Sequence, residues 1–244
     1  IRDQGIRQQG MQELDIVSIV KPVTKYAVMV TKPEEIRYHL DRAVYEATTG
    51  RKGPVWLDLP LDIQAMQVDE ESLTGWQPET ADAQDVQAAD AALEQQVLKI
   101  IDELNHASRP VLLAGNGIRL AEAIPEFEKL VDALRIPVLT TWNGIDLIGE
   151  DHPLFFGRPG GMGQRYANFV QQNSDFFLSI GARMNLLQTG YNFDGFAREA
   201  VKVMVDIDEN ELHKPTIRPD LAVHANVKDV MMDLLKIPYD KDLE

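Results

Sequence analysis

The chain of 244 residues contains no cysteine, which excludes a disulfide framework and any thiolate-ligated metal or cluster. It has no apolar run approaching the ~20 residues that a membrane-crossing helix needs, so no membrane partner is expected. The amino terminus lacks the cationic and then apolar pattern of a secretion signal. Together these absences point to a cytoplasmic protein. Basic residues are scarce as well: 24 Lys and Arg against 39 Asp and Glu leave a net charge of −15. Such a surface repels a phosphate backbone, so nucleic acid is not an expected partner. Part of the acidity is local, with ten acids and the single base Lys99 between Asp69 and Glu103. That stretch reads as a solvated linker and helix face rather than an interaction tail. The opening Ile1-Arg2-Asp3-Gln4-Gly5 has no start-of-domain character, and a piece of a longer protein is expected.

What is present is periodic. Thr31-Lys32-Pro33-Glu34 has the form of a capping box. Ile36, Leu40, Ala43, Val44 and Ala47 follow on one helical face, with Gly50 as the stop. Gly53-Pro54 then leads into the short apolar run Val55-Trp56-Leu57-Asp58-Leu59, closed by Pro60 and read as a buried strand. From about Leu61 to Asp85 no period is sustained, and a linker longer than the usual ~4–6 residues suggests a crossing between domains. The domains expected are 1–65, a linker over 66–87, and 88–244.

Leu93, Val97, Ile100, Ile101 and Leu104 mark an amphipathic helix. Val111-Leu112-Leu113-Ala114, Val138-Leu139-Thr140, Phe176 to Ile180, Val201 to Ile207 and Leu221 to His224 are apolar strands without period-2 alternation. Helical patterns fall between them, among them Leu120 to Leu134, whose start Pro125 leaves open, and Val227 to Leu235. Strands buried on both faces and alternating with helices mean a doubly wound parallel α/β sheet, Rossmann-like, preceded by part of a second α/β domain.

Ligands of such sheets bind at the carboxyl ends of the strands, where strand order reverses. Here those ends carry Gly115-Asn116-Gly117, Thr140-Thr141-Trp142, Gly181-Ala182-Arg183 and Asp206. Small residues let a ligand approach the backbone. Arg183 suits phosphate oxygens, and Asp206 suits a ribose or adenine donor. The set describes a dinucleotide or adenine-nucleotide cleft. Equally, Gly115-Asn116-Gly117 lacks the third glycine of the dinucleotide fingerprint, and turns needing a left-handed backbone account for glycines too. Gly160-Gly161-Met162-Gly163 reads as a loop able to close on a ligand or as a plain helix entry. No carboxylate pair, no His-Asp-Ser set among the five histidines and no metal-site spacing emerges. His39 and His106 are expected on helix surfaces, and Asp151-His152-Pro153 reads as a turn.

Longer stretches resemble a known family. Met11-Gln12-Glu13-Leu14-Asp15-Ile16-Val17, Lys21-Pro22-Val23-Thr24-Lys25 and the run from Ala47 to Pro60 are similar to the end of the pyrimidine-binding domain in acetolactate-synthase-like, thiamine-diphosphate-dependent enzymes. Arg109 to Gly117, Asp151-His152-Pro153-Leu154, Gly157, Ala167-Asn168 and Gly181-Ala182-Arg183 resemble landmarks of that family's central domain. The resemblance implies decarboxylation of a 2-oxo acid with thiamine diphosphate and Mg²⁺, and a homodimer or homotetramer. It places Gln12 near the thiamine site. Flavin-binding members hold FAD in the central domain, at positions matching Gly115, Gly117, Thr140, Thr141, Gly181, Ala182 and Arg183, with Gly161 and Met162 in a loop that approaches it.

The resemblance also implies what is not here. The family's catalytic glutamate is expected before Ile1, and its G-D-G…N motif for Mg²⁺ and diphosphate after Glu244. Where flavin-binding members read R-F-D-D-R-V-T-G, this chain reads Arg183-Met184-Asn185-Leu186-Leu187-Gln188-Thr189-Gly190. The G-M-H-G histidine is missing, and the lysine of L-P-K-D is Leu61. These departures point to a different 2-oxo acid, or to a central domain without flavin and serving as a spacer.

Overall fold

A computed structural model describes residues 14–80 and 83–239, and the chain divides into two compact units, Ile1–Ala81 and Asp82–Glu244. In the first, α1 (Ile16–Val20) is capped by the Asp15 carboxylate, which accepts from Ser18 N–H. It precedes strand β1 (Tyr26–Met29), helix α2 (Ile36–Thr48), strand β2 (Val55–Asp58) and the single turn α3 (Leu61–Gln64). The two strands pair in parallel, Tyr26 beside Val55 and Met29 beside Asp58. Strand β1 is an apolar run that the pattern reading passed over.

The expected capping box does not form. Pro33–Glu35 makes a 3₁₀ turn instead, and α2 begins at Ile36 with no side-chain cap. Proline sets the tight first turn, and Glu35 is drawn to Lys32 Nζ at 2.8 Å. His39, expected on the surface, turns inward: its side chain is 12% exposed and its Nδ1 lies 2.6 Å from Tyr26 Oη. Burial raises the Tyr26 phenol pKa, partly countered by the Arg42 guanidinium 4.6 Å from its ring centroid.

The second unit opens with α4 (Ala83–His106), which therefore starts inside the expected linker. Its buried Val97, Ile100, Ile101 and Leu104 recur at helical spacing. Beyond it, the Asp175 carboxylate accepts from the N–H groups of Ser108 and Arg109 at 2.8 and 2.7 Å and turns the chain into β3 (Pro110–Ala114). Then come α5 (Gly117–Leu120), α6 (Ile124–Leu134), β4 (Val138–Thr140), α7 (Arg165–Gln172), β5 (Phe176–Ile180), α8 (Leu186–Thr189), β6 (Val201–Asp206), α9 (Glu209–Leu212), β7 (Leu221–His224) and α10 (Val227–Leu234).

The helix whose start Pro125 left open begins at Ile124, and Leu120 closes the separate short turn α5. Pro125 sits in the first turn of α6, where its missing N–H costs nothing. Strand β6 ends one residue before Ile207, because the Asp206 carboxylate accepts from Asp208 N–H at 3.0 Å and bends the chain.

All five strands of the second unit are parallel, in the order β4-β3-β5-β6-β7. Alternate residues of each strand feed two apolar layers. Leu112, Ala114, Val138, Leu178, Ile180, Val203 and Val205 pack with α4, α6 and α10 on one face. Val111, Leu113, Leu139, Phe177 and Met204 pack with Ala167 of α7, Leu212 of α9 and Phe196 on the other. Each fully buried Leu or Phe contributes about 1.5–3 kcal/mol relative to exposure, which explains why β3 and β5 carry no exposed residue. The fold is a doubly wound parallel sheet.

Candidate functional site

From β3 the chain crosses to β4 on one side and then returns to β5 on the other. The order of the sheet therefore reverses between β3 and β5, and the carboxyl ends at such a reversal are where sheets of this kind bind ligands. Register aligns those ends: Thr140, Ala114, Ile180 and Val205 are successive lateral neighbours. The residues just beyond them, Thr141, Gly115, Gly181 and Asp206, consequently share one rim.

Backbone hydrogen bonds stitch the rim. Gly115 N–H donates to Ile180 O at 2.9 Å, Gly117 N–H to Gly181 O at 3.0 Å, Gly181 N–H to Val205 O at 2.9 Å and Thr141 N–H to Ala114 O at 3.0 Å. The glycines are needed for this closeness. A Cβ on Gly115 would stand 2.1 Å from Gly181 O, and one on Gly181 2.8 Å from Gly117 Cα. Gly181 also has φ +61°, in the left-handed region.

Each expected site residue among the described residues has a definite place. Asn116 is half-exposed before α5 and makes no side-chain cap, and Thr141 is half-buried. Trp142, which starts a 3₁₀ turn, is 54% exposed. Thr140 is fully buried, and its Oγ1 has no hydrogen-bond partner. Ala182 is buried, while Arg183 is exposed with φ +58°. Asp206 is buried, with its Oδ1 held by Asp208 N–H.

The Gly160–Gly163 loop is tied to the same end of the sheet. Asn168 of α7 both accepts from Gly160 N–H at 2.9 Å and donates to its carbonyl at 3.0 Å. Gly161 N–H reaches Leu187 O of α8 at 2.8 Å. Met162 is left exposed at the tip. Gln12 lies outside the described residues.

Two functional candidates escaped the sequence reading. Glu211 Oε1 accepts from Arg183 Nε at 2.7 Å, and Glu211 Oε2 accepts from Lys214 Nζ at 2.9 Å. Lys214 Nζ also donates to the Arg183 carbonyl. Burial pushes the Glu211 carboxyl pKa up, but hydrogen bonds and charge from Lys214 and Arg183 outweigh it, so the net shift is downward and the group stays ionised. No local pattern signals this meeting, since Arg183 and Glu211 stand 28 residues apart in sequence.

Other parts of the molecule compete poorly as the site. A cavity of about 400 Å³ in the first unit is lined by Glu34, Glu35, Tyr38, His39, Ser72 and Thr74. Lys32 already holds Glu35 there, and none of the expected ligand-binding residues reaches it. Among the described residues no cluster of His, Asp and Glu could hold a metal ion, and no helix is long and apolar enough to cross a membrane.

This arrangement defines a class: a doubly wound α/β domain with a glycine-lined rim at its switch point. Residues 97–234 match the family model described as thiamine pyrophosphate enzyme, central domain, and the chain belongs to that family. Its relatives agree. It is 36% identical over 238 residues to the probable acetolactate synthase large subunit of Methanocaldococcus jannaschii, covering 94% of this chain and 38% of that protein. It is 34% identical over 232 residues to the acetolactate synthase large subunit of Corynebacterium glutamicum, covering 93% and 35%. Escherichia coli acetolactate synthase isozyme 1 large subunit is 32% identical over 232 residues, covering 95% and 39%. The chain thus spans well under half the length of these relatives. In fold it is similar to the benzoylformate decarboxylase of Polynucleobacter necessarius, with a TM-score of 0.75 at 20% identity, over 95% of this chain and 42% of that one.

Proposed function

We propose that this chain is the central part of a longer enzyme that decarboxylates a 2-oxo acid and passes the activated aldehyde to an acceptor or releases it. Bound thiamine diphosphate, anchored through Mg²⁺, supplies the electron sink for that chemistry. The chain's own share is to frame the site. Residues 1–65 read as the closing part of the pyrimidine-binding domain, in which Gln12 matches a family position near the thiamine site, residues 66–87 as the linker, and residues 88–244 as the central domain. The observation that carries the reading is the match of residues 97–234 to the family model, joined to the glycine-lined rim at the switch point. The test is turnover by the longer protein, with thiamine diphosphate and Mg²⁺, across a panel of 2-oxo acids that includes pyruvate. Consumption of none of them rejects the proposal. Leu61, 74% exposed where the family's lysine is usual, favours a substrate other than the acetolactate precursor.

Within the central domain we infer a nucleotide site, for FAD or ADP, along the rim. The donor set suits a diphosphate: Arg183 keeps its guanidinium exposed, and Thr140 Oγ1 is a buried hydroxyl without a partner. Asp206 suits a ribose or adenine contact, and Gly161 and Met162 a covering loop. A ligand-free spacer is favoured by a different observation, that Gly115, Gly117 and Gly181 are already packed on one another. Titration of the chain with FAD, read by flavin fluorescence, separates the two. Quenching at micromolar FAD supports the nucleotide site, whereas unchanged fluorescence supports the spacer. Association into a homodimer or homotetramer is part of the same proposal, and sedimentation of the longer protein checks it.

A further inference from the structure

We propose that Glu211 and Lys214 are positioning residues that present Arg183 to the diphosphate of a nucleotide, an inference that rests on the reading of the rim as a nucleotide site. A guanidinium offers two donor edges. Glu211 takes Arg183 by Nε alone, and the Nη1/Nη2 edge keeps the paired donors that match two oxygens of a phosphate. The backbone beneath is held in an unusual state: Arg183 and Met184 have φ of +58° and +45°, positions where residues with a Cβ are strained. Lys214 donates to the Arg183 carbonyl and so ties that turn to the carboxylate it also holds. It also completes the pairing of Glu211, whose side chain is only 10% exposed. The buried carboxylate thus acts as a strut between two cations. Of the three charged groups, only Arg183 faces solvent broadly, at 59% exposure.

Two physical effects of removing Glu211 have opposite signs. Counted as charge alone, Glu211→Ala makes the rim more positive and strengthens binding of an anion. Counted as positioning, it frees a long side chain that must then be ordered on binding, and affinity falls. Calorimetric titration of the chain with ADP, and with adenosine as a ligand without phosphate, separates them. Glu211→Ala is expected to weaken ADP about tenfold, the scale of one charge-assisted bond, and to leave adenosine unchanged. Glu211→Gln keeps an oxygen acceptor for Nε and is expected to restore most of the ADP affinity. Arg183→Lys keeps the charge but not the fork, and is expected to match the loss; its exposed side chain makes it the usable variant if Glu211→Ala does not fold. ADP binding by Glu211→Ala as tight as wild type or tighter, equal weakening of ADP and adenosine, or an unaltered Arg183→Lys would each overturn the positioning role. Absence of ADP binding by the wild-type chain would instead reject the nucleotide site itself, and the positioning role with it.

Discussion

At Gly115 a single methyl group decides whether two turns can meet. Alanine there would put Cβ 2.1 Å from Gly181 O and 2.4 Å from Ala182 Cα, backbone atoms that cannot rotate away. Gly115→Ala is therefore expected to lower stability by about 1–3 kcal/mol or more, the range for forced overpacking, as read by urea unfolding. A wild-type midpoint would show that the turns separate freely. Glu211 makes a second prediction at this scale. Its folded pKa is depressed, because the ion pairs outweigh burial. Its contribution is thus fully present above the unfolded carboxylate value of about 4.3 and is lost as pH falls through the folded value. Melting temperatures followed from pH 7 to pH 3 should fall less steeply below pH 4.3 in Glu211→Gln than in wild type. Parallel curves would place the acid sensitivity elsewhere. These residues also mark where sequence reading ends. Arg183 was legible as a phosphate candidate from residue type and strand-end position, whereas its hold by Glu211 depends on a contact across 28 residues.

Among the elements, α4 shows how apolar spacing becomes stability. Leu104 is fully buried against the sheet, while Leu98 on the same helix is 46% exposed. Leu104→Ala should cost about 2–5 kcal/mol through lost transfer energy and the cavity left behind. Leu98→Ala should stay within about 0.5 kcal/mol. Chemical denaturation of both variants checks the assignment of the buried face, and equal losses would contradict it. Strands β3, β4, β5 and β7 were legible because continuous apolar runs suit burial on both faces. The elements missed or misjudged are those where local rules compete. Strand β1 is short. The Thr31 capping box yields to a proline-led 3₁₀ turn, and Pro125, which left the helix start open, sits in the first turn of α6. The turns α8 and α9, four residues each, are set by Asx caps at Asn185 and Asp208 that only the folded chain brings into play.

For the molecule as a whole, burial is unequally shared. Among the described residues, the buried apolar side chains of the first unit are Val30, Ala43 and Ile63, whereas the second unit builds two full layers on its sheet. Opening free energy follows buried apolar contact. Hydrogen exchange of the chain by mass spectrometry should therefore be faster at Val28 and Leu57 than at Leu112 and Leu178. Equal protection in the two units would mean that the first is stabilised by something other than its own core.

What the sequence by itself determined is the class of fold and the family: apolar runs without alternation require a sheet covered on both faces, and the ordered landmarks from Met11 to Arg183 resemble one enzyme family. It also put small residues at strand ends, because that pattern is local. Only the tertiary structure decided that the ends of β3 and β5 meet at the reversal of the sheet, that Gly115, Gly117 and Gly181 spend their missing side chains on one another, and that Arg183 is braced by Glu211 and Lys214. The reason is physical. Periodicity reports which face of an element is buried, but strand order and contacts between distant residues arise only when the layers close on a common core.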